Sequence, residues 1–179
     1  AVGGAEVVLG SARLLELFPE CAGRSRALPA HVAPAIQLLE ECRDAQRVAV
    51  LVSGDPGLFS LAKAMVEHFG HEKCEIIPGV SSVQVAFARL GLPWADARVI
   101  SAHGKVPTES AEELAGCDKI AILGGTQQAV EWVAELATEL QTTHSLFLCE
   151  NLTREDERVV EIEPETLAAS SLAIMVLLR

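Results

Sequence analysis

The chain predicts an α/β fold made of two small α/β domains. Three observations predict it. Short apolar runs alternate with helix-spaced segments through the first half, glycine-bearing turns follow two of those runs, and several strand candidates crowd the carboxyl-terminal third. Alternating β and α elements with continuously apolar strands make a parallel, doubly wound sheet. Strand candidates with few residues between them add an antiparallel component, because a parallel return needs a long crossover.

The elements follow in order. Ala5-Glu6-Val7-Val8-Leu9 reads as a short strand, and Arg13 to Phe18 as a helical turn or two closed by Pro19. Pro34 to Cys42 reads as a helix with proline near its start. Val48-Ala49-Val50-Leu51-Val52 reads as a buried central strand, Leu58 to Phe69 as a helix, and Cys74-Glu75-Ile76-Ile77 as the next strand. A further helix ends near Leu90, with Gly91 just past its carboxyl end. Pro93-Trp94 punctuates, and Arg98-Val99-Ile100-Ser101 reads as a strand. Beyond it come a short helix from Ser110 to Ala115, a strand from Lys119 to Leu123 and a helix from Gln127 to Leu140. The remaining strands run from Ser145 to Cys149, Glu157 to Ile162 and Leu172 to Leu178. The change of pattern places a boundary near Trp94 to Val99. It separates an N-terminal parallel α/β domain, residues 1–95, from a C-terminal mixed-sheet α/β domain, residues 96–179. A cleft between two such domains is a common ligand site.

Composition bounds the function. The chain has 179 residues, is half apolar, and carries a formal net charge of −11. That charge argues against nucleic-acid binding, which needs a basic face. No apolar run approaches a membrane span, and no signal peptide is visible at Ala1. The five cysteines, Cys21, Cys42, Cys74, Cys117 and Cys149, are odd in number and dispersed. They read as reduced thiols of a cytoplasmic protein.

The most informative stretch is Ser53-Gly54-Asp55-Pro56-Gly57, directly after the central strand. Open α/β sheets bind ligands at the carboxyl ends of their strands, and glycine lets a ligand approach the backbone. This turn holds a carboxylate and no Lys or Arg, which argues against a phosphate and for a cationic or sugar-bearing ligand. Pro78-Gly79-Val80-Ser81-Ser82 follows the next strand candidate and offers hydroxyls. The competing structural reading makes Asp55 a helix N-cap with Pro56 at N1, and Ser82 a cap of the helix after Val80.

These runs carry a resemblance. Ser53-Gly54-Asp55-Pro56, Ile77-Pro78-Gly79-Val80-Ser81-Ser82-Val83 and Ala86-Phe87-Ala88-Arg89-Leu90-Gly91-Leu92-Pro93-Trp94 resemble the tetrapyrrole methylases, and within them the carbon-5 branch of cobalamin synthesis. Ser101-Ala102-His103-Gly104-Lys105 resembles that branch's Ser-x-His-Gly-Arg stretch. Cys149-Glu150-Asn151-Leu152-Thr153 with Glu157-Arg158-Val159-Val160 resembles the family's late strand pair. The resemblance implies the tetrapyrrole methylase fold, S-adenosyl-L-methionine as cofactor, a homodimer, and methyl transfer to carbon 5 of a precorrin or cobalt-precorrin. Carried over residue by residue, it places cofactor contacts at Ser53, Gly54, Asp55, Leu58, Ser81, Ser82, Leu123 and Leu152. It also implies a separate CbiT-like methyltransferase/decarboxylase as partner. The family opens with a strand followed by Gly-x-Gly-Pro-Gly, whereas Gly3-Gly4 here align with the end of the family's first helix. The first strand and its loop are therefore expected to be missing. Two alternatives stand beside this reading: a methylase of the same family acting on another ring carbon, diphthamide or ribosomal RNA, and a non-catalytic cofactor-binding module.

The remaining polar residues sort against this frame. Arg13, His103 and Lys105 are candidates for holding an anionic substrate, with Arg89 a further cation. No residue is marked as a catalytic base. His68, His71 and Cys74 have ligand-like spacing, but Gly70 breaks the helix between them, so no metal site is expected. His31 and His144 read as surface residues. Glu40-Glu41 and Glu112-Glu113 are adjacent pairs on helices, whose side chains do not face one another.

Overall fold

A computed structural model of the protein describes residues 2–170 and 172–179. The chain forms two compact units, Ala1–Ser81 and Ser82–Arg179. The division falls upstream of the Trp94–Val99 stretch because the helix after Ser81 packs against strands of the second unit.

The first unit contains β1 (Val7–Gly10), α1 (Ala12–Leu15), β2 (Ser25–Ala27), α2 (Val32–Glu41), β3 (Val48–Val50) and α3 (Ala62–Phe69). Its sheet runs β2-β1-β3, and every pair is parallel, as the alternating pattern requires. Successive side chains of a strand point to opposite faces, and β1 uses both. Val8 packs with Ala5, Cys21, Leu15, Phe18 and Ala49 on one side. Leu9 packs with Leu39, Cys42, Met65 and Phe69 on the other. Helices α2 and α3 lie against each other on the Leu9 side.

Two expectations are corrected here. The helix after the central strand starts at Ala62 rather than Leu58, because residues 55–60 are held in a bonded turn. Cys74–Ile77 forms no strand. Cys74 has extended backbone angles, but a strand needs a ladder partner, and among the described residues β3 is paired by β1 alone. Ile76 and Ile77 are consequently about half exposed. Strand β2 went unforeseen. Ser25-Arg26-Ala27 has no apolar signature and is ordered by pairing with β1.

The second unit contains α4 (Ser82–Leu90), β4 (Arg98–Ser101), α5 (Ala111–Leu114), β5 (Lys119–Leu123), α6 (Gln127–Leu140), β6 (Ser145–Glu150), β7 (Arg158–Ile162) and β8 (Ala173–Leu178). Its sheet runs β4-β5-β8-β6-β7, with β4 and β5 parallel and the other pairs antiparallel. This is the mixed sheet the crowded carboxyl-terminal strands predict. Ile120, Ile122, Leu146, Leu148, Met175 and Leu177 face α6, which contributes Ala129, Val133, Leu136 and Leu140 to one core. The alternate residues Ala121, Cys149 and Val176 are equally buried, so the opposite face is covered as well. Helix α4 touches β7 and β8 and buries Val83, Ala86 and Phe87. Gly91 follows α4 with φ +71°, the left-handed carboxyl-terminal residue its position predicts.

Local signals account for the helix starts. Thr126 accepts the N–H of Ala129 at the start of α6, and Ser110 and Glu113 form a reciprocal capping box on α5. Among the described residues, no helix is long and apolar enough to cross a membrane.

Candidate functional site

In the first unit, the turn after β3 is locked by its own hydrogen bonds. Asp55 Oδ1 accepts the Gly57 N–H at 2.7 Å, the Leu58 N–H donates to the Asp55 carbonyl at 3.1 Å, and Ser60 Oγ donates to the Pro56 carbonyl at 2.6 Å. Asp55 is therefore not the N-cap of α3, whose N-cap position is Leu61. Its carboxylate closes a turn two residues long and remains half-buried at the loop. Gly54 takes φ +70°, and Phe59 takes φ +47° with its ring largely exposed. Non-glycine residues enter that region at a cost on the order of 1 kcal/mol.

The second turn adjoins the first. A Cβ placed on Gly79 would overlap the Gly54 carbonyl oxygen and stand 3.3 Å from the Gly54 carbonyl carbon. Only glycine lets the two backbones approach this closely. Ser81 is buried at the end of this segment, and Ser82 is the first residue of α4. Leu58 is half-buried within the first turn.

A cation reaches the same place from another element. Arg13 on α1 donates from Nη2 to Ser53 Oγ at 2.7 Å. The turn holds no basic residue of its own, yet the fold supplies one, so the sequence argument against an anion at this turn does not extend to the assembled loop.

In the second unit, the register brings the remaining candidates to one end of the strands. Ser101 pairs with Leu123, Leu123 with Ile174, and Ala173 with Glu150. The Ala102 N–H donates to the Leu123 carbonyl at 2.7 Å, and the Asn151 N–H to the Leu172 carbonyl at 3.2 Å. Leu123 thus closes β5, while His103 and Leu152 follow β4 and β6, all at the same end of the strands. Leu123 is buried, Leu152 is half-buried, and His103 and Lys105 are exposed. The His103 N–H makes a long bond, 3.4 Å, to Ser101 Oγ. Gly124-Gly125-Thr126 leads directly into α6, with Thr126 serving as its cap.

Sequence reasoning missed Glu150, which is 8% exposed at this end of the strands. Its Oε1 accepts the Ser170 N–H at 2.6 Å and its Oε2 accepts Arg158 Nη1 at 3.2 Å. The available signal was an acid closing an otherwise apolar strand. Arg89 is not a free substrate cation: it is bonded to Glu157, with Nε–Oε1 at 2.5 Å and Nη2–Oε2 at 3.2 Å. His144 is buried rather than surface, with Thr143 Oγ1 at 2.8 Å from Nδ1 and the Cys117 carbonyl at 2.8 Å from Nε2. His68 and Glu40 meet between α3 and α2 at 2.6 Å. Burial pushes the Cys149 thiol up to about 11, with the nearby Glu157 charge adding to the effect.

The fold is the one shared by methylases of the tetrapyrrole type. Residues 1–168 match the family model for Tetrapyrrole (Corrin/Porphyrin) Methylases, and the chain belongs to that family. Over 160 residues it is 32% identical to the cobalt-precorrin-7 C(5)-methyltransferase of Salmonella typhimurium, covering 89% of this chain and 78% of that one. A probable cobalt-precorrin-7 C(5)-methyltransferase of Methanocaldococcus jannaschii is 29% identical, over 88% of this chain and 77% of its own. Among solved structures, the precorrin-6Y methylase CbiE of Archaeoglobus fulgidus superposes with a TM-score of 0.72 at 28% identity, covering 99% of this chain and 86% of that one. The uroporphyrin-III C-methyl transferase of Thermus thermophilus, complexed with S-adenosyl homocysteine, shares the fold with a TM-score of 0.74 at 21% identity, covering 98% of this chain and 86% of that one.

Proposed function

We propose that this protein transfers a methyl group from S-adenosyl-L-methionine to carbon 5 of a precorrin or cobalt-precorrin in cobalamin biosynthesis. The observation that carries the reading is the 32% identity to a cobalt-precorrin-7 C(5)-methyltransferase across 89% of the chain. The first-unit loop fits the cofactor chemically. Two turns meet with no side chain between Gly54 and Gly79, leaving backbone groups accessible beside the Asp55 carboxylate.

S-adenosyl-L-methionine supplies an activated methyl group as its sulfonium, so the protein's task is alignment rather than covalent catalysis. In this reading Ser53, Gly54, Asp55, Leu58, Ser81, Ser82, Leu123 and Leu152 are the cofactor contacts. Asp55 orients polar groups of the cofactor through its carboxylate, since its Gly57 bond fixes the carboxylate plane. Arg13, His103 and Lys105 hold the substrate's carboxylates and offset locally the chain's net charge of −11. The proposal includes a cytoplasmic homodimer whose product passes to or from a CbiT-like carbon-15 enzyme.

The test is calorimetry with S-adenosylhomocysteine followed by incubation with S-adenosylmethionine and the two tetrapyrrole classes. The reading expects cofactor-product binding and one added methyl group by mass spectrometry. Binding without methyl transfer to either tetrapyrrole would favour the non-catalytic cofactor-binding module.

A further inference from the structure

The loop between β6 and β7 is anchored in a way that a simple connection does not need. Asn151 takes φ +49° and Thr153 takes φ +69°, so two non-glycine residues flank Leu152 in the left-handed region. Asparagine enters that region readily, but a β-branched residue such as Thr153 persists there only where the surroundings over-determine it. Here Glu157 does so. One carboxylate accepts the Thr153 N–H at 2.6 Å and both nitrogens of the Arg89 fork, at 2.5 and 3.2 Å. Asn151 Nδ2 donates to Asp156 at 2.9 Å, and the Arg154 N–H donates to the Asn151 carbonyl at 3.0 Å. Arg89 stands in the last turn of α4, whose buried residues Val83, Ala86 and Phe87 fix the helix within the second unit. The loop is therefore tied to a rigid element far from it in sequence.

We propose that Arg89 and Glu157 are positioning residues for the methyl donor: they hold the Asn151–Thr153 backbone in its left-handed conformation and thereby set Leu152 as a cofactor contact. The inference rests on the cofactor assignment of Leu152 above. The side chains do not touch the ligand; they act through the backbone of residues 151–153. The Arg89 hydrogen bonds, followed by the Thr153 N–H, hold the Glu157 carboxyl below the ordinary carboxylate value, so the anchor stays charged at neutral pH. A bidentate Arg–carboxylate pair also adds directional restraint that a single charge contact lacks.

The test measures S-adenosylhomocysteine dissociation constants and thermal midpoints on the intact chain carrying Leu152→Ala, Glu157→Ala, and Glu157→Ala with Thr153→Gly. Leu152→Ala and Glu157→Ala should each weaken binding about 5-fold or more. Thr153→Gly should restore binding in the Glu157→Ala background to within about 2-fold, because glycine adopts the left-handed conformation without an anchor. A merely structural pair predicts a lowered thermal midpoint with unchanged affinity, and that result overturns the proposal. Failure of the glycine rescue overturns it as well. If Leu152→Ala binds normally, Leu152 is no contact and the proposal falls, while the methyltransferase reading stands on the first-unit turns. If the wild-type chain binds no S-adenosylhomocysteine, both fall together.

Discussion

Gly79 lies directly against the carbonyl of Gly54, so that two turns far apart in sequence form one continuous backbone surface. The obstacle to any side chain at position 79 is backbone rather than the movable end of a side chain. Gly79→Ala should therefore destabilise the chain by about 1–3 kcal/mol, the usual effect of overpacking. It should also weaken S-adenosylhomocysteine binding, because the turns must separate. Urea unfolding and calorimetry on the same variant check both effects; wild-type stability would show that the turns part without cost.

How far the sequence was legible depended on whether a residue's fate is local. Strand β5 and helix α6 match their predicted limits because apolar period and the Thr126 cap are written in neighbouring residues. That Ser53, Gly54, Asp55 and Gly79 lie in connecting segments was legible from glycine and proline after apolar runs, but the close approach of Gly79 to Gly54 was not, because it joins segments 25 residues apart. Cys74–Ile77 was misread because its apolar pattern says nothing of whether a neighbouring strand is there to pair with it. His144 was misread because it stands alone in the sequence, while its partner carbonyl, Cys117, comes from a distant segment. The Arg13–Ser53 and Arg89–Glu157 pairs, 40 and 68 residues apart in sequence, exist only once the chain has folded.

Asp55 separates turn closure from ligand binding. Asp55→Asn keeps an oxygen to accept the Gly57 N–H, so stability should hold. Loss of the charge should weaken S-adenosylhomocysteine binding by about 1–3 kcal/mol. Asp55→Ala should lose the turn bond as well, lowering stability by a further ~1 kcal/mol. Unchanged affinity in Asp55→Asn, measured by calorimetry, would remove the carboxylate from the cofactor site.

Arg13 is exposed, and its bond to Ser53 leaves the rest of its guanidinium fork available. Arg13→Ala should raise KM for the tetrapyrrole about 5- to 10-fold, the effect of roughly 1 kcal/mol for an exposed charge contact. S-adenosylhomocysteine affinity should change little. Steady-state kinetics with the donor saturating reads the first quantity and calorimetry the second. An unaltered KM would assign Arg13 to loop packing alone.

Cys149 makes a prediction about pH. Its thiol is fully buried on β6, between Val159 of β7 and Ile174 of β8, and burial raises it from 9.0 to about 11. Above pH 9 the unfolded chain releases this proton while the folded chain keeps it. The folded state then binds more protons, and stability must fall as pH rises. The contribution is fully present below pH 9 and is lost progressively as pH rises through about 11, amounting to on the order of 2–3 kcal/mol. Denaturant unfolding at a series of pH values should show this slope in the wild type and a shallower one in Cys149→Ala, whose overall stability is lower because of the cavity left behind. The same burial should keep Cys149 unreactive toward iodoacetamide near pH 8 while half-buried Cys74 is alkylated. Rapid alkylation of Cys149 in the folded protein, or identical slopes in the two chains, would contradict a buried neutral thiol at this position.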